Sequence, residues 1–526
     1  MMASPVRRRL IQRTSNNVAS LPAPVGGWNA RDSLANMAPT DAVTLDNLFP
    51  GVSSVGIRGG YTPHVTGISG QVETLMTYNG GANDKMFAIA GGSIFDVTTS
   101  GVVGAAVVTG LSDSRWESVN ITTSGGSYLY AANGVDAPRL YDGTTWTAIT
   151  GASTPAITGV TTTTLTSPTL FKNRMWFIQK DTLKAWYLPT ASVGGAANVL
   201  DLSSVARNGG TLRAMATWTI DAGYGVDDNL VFVTDQGEII VYRGTDPSSA
   251  STWALIGVWQ VGAPVSRRCV AKYGGDLLLL TLDGLIPLAS ALQSSRLDPQ
   301  VALSDKIQGA FATATRTYKD NFGWGLLYNP LNNALIVNVP VSTGAQQQFV
   351  MNNITKAWCR FTGWYANCWT LLNDTPYFGT GGSVAQGWTT ASGSGGFNDN
   401  GAAIPTRALQ AFNYFETRGV IKYFTRGRPT IYSNGQPAIS IGVNVDFQTA
   451  DIVGPLSFSS TAYGLWDVGL WDQAIWGSDT VVSNNFTGLQ GIGYCAAVNF
   501  NSSSKNLTLE WASTDIVYQL GWAGAS

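Results

Sequence analysis

The segment LVFVTDQGEIIVY, residues 230–242, holds two apolar strand patterns on either side of a Thr-Asp-Gln-Gly reversal, and its reading decides the fold. Val, Ile, Leu, Phe and Tyr fit a pleated, half-buried surface, while Gly, Asp and Asn tolerate the positive φ that a tight reversal requires. Before it, the same pattern occurs as FAIAGGSIFDV (87–97), YLYAANGVDAPRLYDG (128–143) and MWFIQKDTLKAWYL (175–188). After it come LLLLTLDGLIPL (277–288), YNPLNNALIVNV (328–339) and YFGTGGSVAQ (377–386). The copies follow one another about every 45 to 50 residues, the period of β-propeller blades. The repeat predicts an all-β chain with a propeller of about six or seven blades. Central strands such as LVFV and LLLL are unbroken apolar runs, as a sheet covered on both faces requires. The competing architecture is an array of β-sandwiches with the same spacing.

A chain of 526 residues has room for about two to four domains. Only 12% of its residues are charged, against 44% hydrophobic, and the difference is filled by Gly, Ser, Thr and Asn. That charge is about half of what free soluble domains carry, which suits a protein buried in a larger assembly. The eighteen Trp are expected to serve the same end, because aromatic residues are enriched where protein surfaces meet. A net charge of −2 argues against a nucleic-acid-binding domain, which needs a basic face. The one basic stretch is N-terminal, where Arg7, Arg8, Arg9 and Arg13 lie in a Ser/Asn-rich arm without the apolar core of a signal peptide. It reads as a solvated tail, or as an arm that folds onto an acidic partner. No apolar run reaches the length of a membrane span, so no membrane insertion by this chain is expected.

Catalytic sets are incomplete. His64 is the single histidine and follows a turn-rich segment, so any Ser-His-Asp or Cys-His mechanism would depend on it alone. Cys269, Cys359, Cys368 and Cys495 are scattered without CxxC spacing, which excludes the usual zinc patterns and leaves reduced thiols in strands. A Cys359–Cys368 disulfide stays geometrically open. Asp228, Asp235, Asp276 and Asp283 occupy turn settings where bonding to the backbone accounts for them. The Gly-rich stretch at 393–396 is followed by neither GK[ST] nor a helix pattern, so it is no phosphate loop. No enzyme activity, cofactor or metal is expected.

Composition divides the chain into a flexible basic arm (1–20), an N-terminal segment (21–65), the propeller (66–390), a linker (391–404) and a C-terminal β domain (405–526). In the last, two strand patterns turn at Asn434 and Gly435, and NLTLEWASTDIVYQLGW (506–522) closes the chain. Between them, LWDVGLWDQAIW sets Trp466, Trp471 and Trp476 five residues apart, a spacing of neither helix nor strand. It predicts an irregular loop, its aromatics either in the domain's core or on a docking edge. In the N-terminal segment, Asn29 and Asp32 suit turns, Pro39 to Asp41 suit the start of a short helix ended by Phe49 and Pro50, and Arg31 and Asp46 suit an ion pair. This segment is expected to pack on the C-terminal domain or a neighbouring subunit.

The N-terminal segment also resembles a known family. The stretch PVGGWNARDSLANMAPTDAVTLDNLFPGVSSVGIRGGYTPH (24–64) is similar to the signature of structural proteins of short-tailed bacteriophages, GGxNxRDxxxxM followed by DAxxLDNxFP and a basic, Gly-rich strand. The matching positions include Gly26, Gly27, Asn29, Arg31, Asp32, Met37, Asp41, Asp46, Asn47, Phe49, Pro50 and Arg58. The block at 349–384 and the WDxxxWDxxxWG block resemble the same family, the tail nozzle, tail hub or tail tubular protein B of podovirus-like phages. The resemblance implies a non-enzymatic virion protein, assembled in the bacterial host cytoplasm as a six-fold ring below the portal and adaptor. Tail fibre, spike or needle would be further partners, and genomic DNA would pass without specific binding. Assembly contacts are then expected at Arg7, Arg8, Arg9, Asn29, Arg31, Asp32, Asp46, Trp466, Trp471 and Trp476. The alternative is a receptor- or carbohydrate-binding propeller with exposed aromatic platforms. A propeller glycosidase, a third class, would need converging carboxylates.

Overall fold

The computed structural model describes residues 16–81, 83–219, 228–292, 301–390, 396–451, 481–483 and 485–521. The chain divides into two compact units, Arg58–Ile404 and the combination of Met1–Ile57 with Pro405–Ser526.

In the Arg58–Ile404 unit, antiparallel sheets succeed one another along the sequence, an all-β arrangement of propeller type. The second sheet runs Glu117–Thr123, Gly126–Ala132, Arg139–Tyr141 and Trp146–Ala148, the third Leu165–Phe171, Arg174–Gln179, Lys184–Tyr187 and Asn198–Asp201. The fourth is Leu212–Thr219, Asp228–Thr234, Glu238–Gly244 and Trp253–Gln260. The fifth is Val270–Tyr273, Asp276–Thr281 and Gly284–Pro287, and the sixth begins at Gly325–Asn329 and ends at Trp358–Thr362. The long strand Gly60–Tyr78 serves two sheets: its second half pairs with Lys85–Ala90 to found the first, and its first half pairs with Gly381–Thr389 to complete the seventh. The first strands of successive sheets touch in order, and the opening strand of the seventh, Cys368–Leu372, touches Gly60–Tyr78. A strand from the start of the unit thus closes the last sheet, which removes the open edge a linear array would leave.

The cores lie between neighbouring sheets. Phe171, Trp176 and Ile178 of the third sheet pack with Met215, Phe232 and Trp253 of the fourth, and Trp176 stacks on Trp253 at 5.7 Å between centroids. Val72, Leu75 and Ala88 meet Cys368 and Val384 where the seventh sheet joins the first. At the reversal after Lys85–Ala90, Gly91 and Gly92 both have positive φ, 53° and 71°, the geometry of the two-residue turn that matches strand twist.

Six of the seven quoted hairpins join second and third strands of their sheets. The copy at 328–339 instead joins the first and second, because its sheet reverses again at residues 342–345. One helix of eleven residues, Gln308–Tyr318, follows the fifth sheet. The stretch expected as linker is partly built in: residues 396–404 belong to this unit, where the Tyr61 N–H donates to the Asn398 carbonyl.

In the other unit, Glu510–Leu520 pairs with Asn16–Pro22 on one side and Lys422–Ser433 on the other. Residues 16–20, expected as flexible arm, therefore form a strand, because their alternating pattern finds a partner distant in sequence. A second sheet contains Asp41–Asp46, Ile404–Gln410, Ala496–Ser504 and Ile439–Val445. Phe500 of this sheet stacks on Trp511 of the other at 4.8 Å. The helix expected from Pro39 to Pro50 does not form: Asp41–Asp46 and Leu48–Pro50 are strands, with Ala42, Leu45 and Leu48 fully buried. Burial beside a partner strand outweighs the local capping signal there. The turn at Asn434 and Gly435 exists, but Lys422–Ser433 and Ile439–Val445 enter different sheets rather than one hairpin.

Candidate functional site in the Arg58–Ile404 unit

Of the residues expected at assembly contacts, Arg7, Arg8, Arg9, Trp466, Trp471 and Trp476 lie outside the described residues. Asn29, Arg31 and Asp32 come together, in an internal arrangement. Asn29 is buried, and its Nδ2 donates to Asp32 Oδ2 and to Asp41 Oδ2, each at 2.8 Å. Its Oδ1 accepts the backbone N–H groups of Arg31 and Asp32. Asn29 therefore pins a turn. Arg31 places its Nε 2.8 Å from Asp32 Oδ1. Asp46 is buried in its strand.

The tryptophans also differ from expectation. Among the described residues none is exposed: Trp116, Trp176, Trp324, Trp358, Trp364 and Trp511 rank among the largest fully buried side chains. Their bulk fills the space between sheets rather than surfaces. His64 is likewise structural, with Nε2 3.1 Å from the Val97 carbonyl and its ring edge-on to Tyr377. All four cysteines are free and buried, and burial pushes the Cys269 and Cys368 thiols up to about 12. No group of three or more His, Cys, Asp or Glu among the described residues is placed to hold a metal ion, and no described helix is long and apolar enough to cross a membrane.

What the structure does assemble is a cavity of about 490 Å³ at one end of the first strands. Residues just before or at the start of four such strands converge on it: Arg115 and Glu117 from the second sheet, Arg213 from the fourth, Arg267 and Arg268 before the fifth, and Phe322 before the sixth. Lys319, at the end of the helix, completes the basic set. Arg268 is held firmly, its Nη2 donating to the Glu73 carbonyl (3.0 Å), Thr74 Oγ1 (2.8 Å) and the Trp116 carbonyl (3.2 Å). Arg267 Nη1 reaches the Asn133 carbonyl and Thr166 Oγ1. The Phe322 ring lies under both Arg115 (4.2 Å) and Arg268 (5.4 Å). Arg115 is also paired with Glu73 at 3.1 Å.

Sequence reading missed this site because its residues come from segments some 200 positions apart and share no motif. The only local signal is the dipeptide Arg267-Arg268 directly ahead of an apolar strand.

No family model matches the chain, and neither does any curated protein. Among solved structures it is similar to BBS1N in complex with ARL6DN, with a TM-score of 0.39, 10% identity, and coverage of 63% of this chain and 96% of that one. It is also similar to the Cps50 (Swd1) β-propeller domain of Myceliophteria thermophila, with a TM-score of 0.39, 13% identity, and coverage of 62% and 98%.

Proposed function

We propose that this chain is a non-enzymatic structural subunit that works inside a larger protein assembly. The observation that carries this reading is the placement of exposed apolar side chains in the unit of Met1–Ile57 and Pro405–Ser526. There Tyr423 and Ile492 sit directly opposite each other on paired strands, 43% and 61% exposed. Tyr432, Phe486, Tyr494 and Leu520 are exposed in the same unit. Exposed apolar groups facing each other on paired strands of a chain this poor in charge mark a surface that a partner covers.

Together with the N-terminal signature, the assembly we propose is the tail nozzle of a short-tailed phage. In this reading the successive sheets are the seven blades of a propeller, and the chain forms a six-fold ring below the portal and adaptor. Contacts around such a ring are heterologous and close on themselves, and each buries more than about 1,000 Å². The DNA channel runs through the ring, with fibre, spike or needle beyond it. A cryo-EM map of the particle tests this: a closed ring of this chain below the portal is expected, and an isolated monomer or two-fold dimer refutes it.

The second reading, a receptor- or carbohydrate-binding propeller, is favoured by the cavity described above. It lacks exposed tryptophan platforms among the described residues, and binding of the isolated protein to a glycan array separates it from the first.

A further inference from the structure

We propose that the cavity among the first strands binds a small ligand carrying two or more oxyanion groups, phosphate or carboxylate. This does not depend on whether the chain forms a ring.

A volume of about 490 Å³ is that of a small-molecule site and does not admit a nucleic-acid duplex. Five basic residues line it (Arg115, Arg213, Arg267, Arg268 and Lys319) against three acidic ones (Asp113, Glu117 and Asp320), in a chain whose net charge is −2. Two of the carboxylates are engaged close by. Asp113 accepts the Arg115 backbone N–H, and Glu117 accepts the Ser167 hydroxyl. Arg115 is taken up by Glu73. Among the described residues, the side chains of Arg213 and Lys319 make no hydrogen bond or ion pair, and neither Arg267 nor Arg268 meets a carboxylate.

The two neighbouring arginines are anchored apart. Arg268 is tied to Thr74 and Trp116 around the first and second sheets, Arg267 to Asn133 and Thr166 around the second and third. Each uses a single terminal nitrogen for this, Nη2 in Arg268 and Nη1 in Arg267, leaving the rest of its planar donor fork unspent. Such a fork matches the oxygens of a phosphate or carboxylate in a bidentate way. Held cations also repel one another across a confined space, and an anion with two separated groups relieves that repulsion at both anchor points. The Arg268 guanidinium orders little on binding, because it is already fixed against Phe322 and by its own hydrogen bonds.

The test is isothermal titration calorimetry of the full chain at low salt, with pyrophosphate in one arm and digalacturonate in the other. Saturable one-site binding is expected for at least one of them, and the tighter of the two assigns the oxyanion source as phosphate or acidic sugar. The double variant Arg213→Gln/Lys319→Gln should keep the wild-type melting temperature, since neither side chain is bonded, and bind about tenfold or more weakly. Arg267→Gln should weaken binding likewise, and Lys505→Gln, an exposed position of the other unit, should leave it unchanged. Absence of saturable binding in both arms, or undiminished binding by the double variant, overturns the assignment.

Discussion

Arg58 and Asp399 lie near the two ends of the Arg58–Ile404 unit, 341 positions apart, and form a doubly bonded pair inside it. Arg58 Nη1 donates to Asp399 Oδ1 at 2.8 Å and Nη2 to Oδ2 at 2.6 Å. The Arg58 side chain is fully buried and that of Asp399 is 10% exposed. The same guanidinium donates to the Gly59 and Thr362 carbonyls and lies 4.9 Å from the centre of the Trp364 ring. Replacing Asp399 by Asn removes the countercharge while the guanidinium stays buried, and breaking such a pair costs about 3 to 5 kcal/mol. That raises the opening equilibrium of the joined ends by about 10² to 10⁴. Hydrogen exchange resolved to residues 60–78 and 396–404 is the assay, since two units need not unfold in one transition. Arg58→Lys should lose much of the stability too, because an ammonium cannot span both carboxylate oxygens. The combination Arg58→Met/Asp399→Leu should recover part of the loss, as apolar replacement of a buried pair does. The half-buried, singly bonded pair of Lys85 and Asp96, at 3.4 Å, is the control, and Lys85→Met should cost about 1 kcal/mol or less. If Asp399→Asn changes exchange no more than the control does, the pair does not hold the ends together and the reasoning fails.

Native protein should be silent to a thiol reagent near neutral pH, because all four cysteines are buried and the Cys269 and Cys368 thiols are pushed up to about 12; rapid labelling before denaturation would contradict this. Burial raises the Asp142 carboxyl, but hydrogen bonds from Thr145 and Thr144 outweigh it and hold the group at about 2. Its contribution is therefore complete above the unfolded value of about 3.9 and lost as pH falls through about 2. Asp142→Asn should cost about 1 kcal/mol at pH 7, with the gap in urea midpoint closing toward pH 2; a gap independent of pH would contradict the assignment. Tyr423→Lys/Ile492→Lys should leave the subunit folded by circular dichroism and abolish its assembly, and assembly at wild-type level would remove the surface from the interface. Duplex DNA should bind no tighter than about 10⁻⁴ to 10⁻⁶ M at physiological salt; tight, sequence-dependent binding that persists in a chain starting at Asn16 would exclude a passive conduit.

The hairpins were legible in the sequence because their signals are local. Gly91-Gly92 and the Gln236-Gly237 reversal set turn geometry within a few residues, and the flanking apolar runs declare strands buried on both faces. Their regular recurrence sufficed to call an all-β repeat architecture. The same local logic failed at Asp41–Asp46, where a plausible helix cap gave way to pairing with Ile404–Gln410, and at Asn16–Pro22, whose partner strand lies some 500 residues away. The roles of the charged residues were decided by tertiary structure alone. Arg58 is a feature of the N-terminal signature in the sequence, and only the fold brings Asp399 to it. The arginines of the cavity are unremarkable one by one; they become a site because strands from separate sheets start around the same space. Turn and strand propensities act over a few bonds and can be read along the chain, whereas charge pairing and cavity formation depend on distances that only the folded backbone sets.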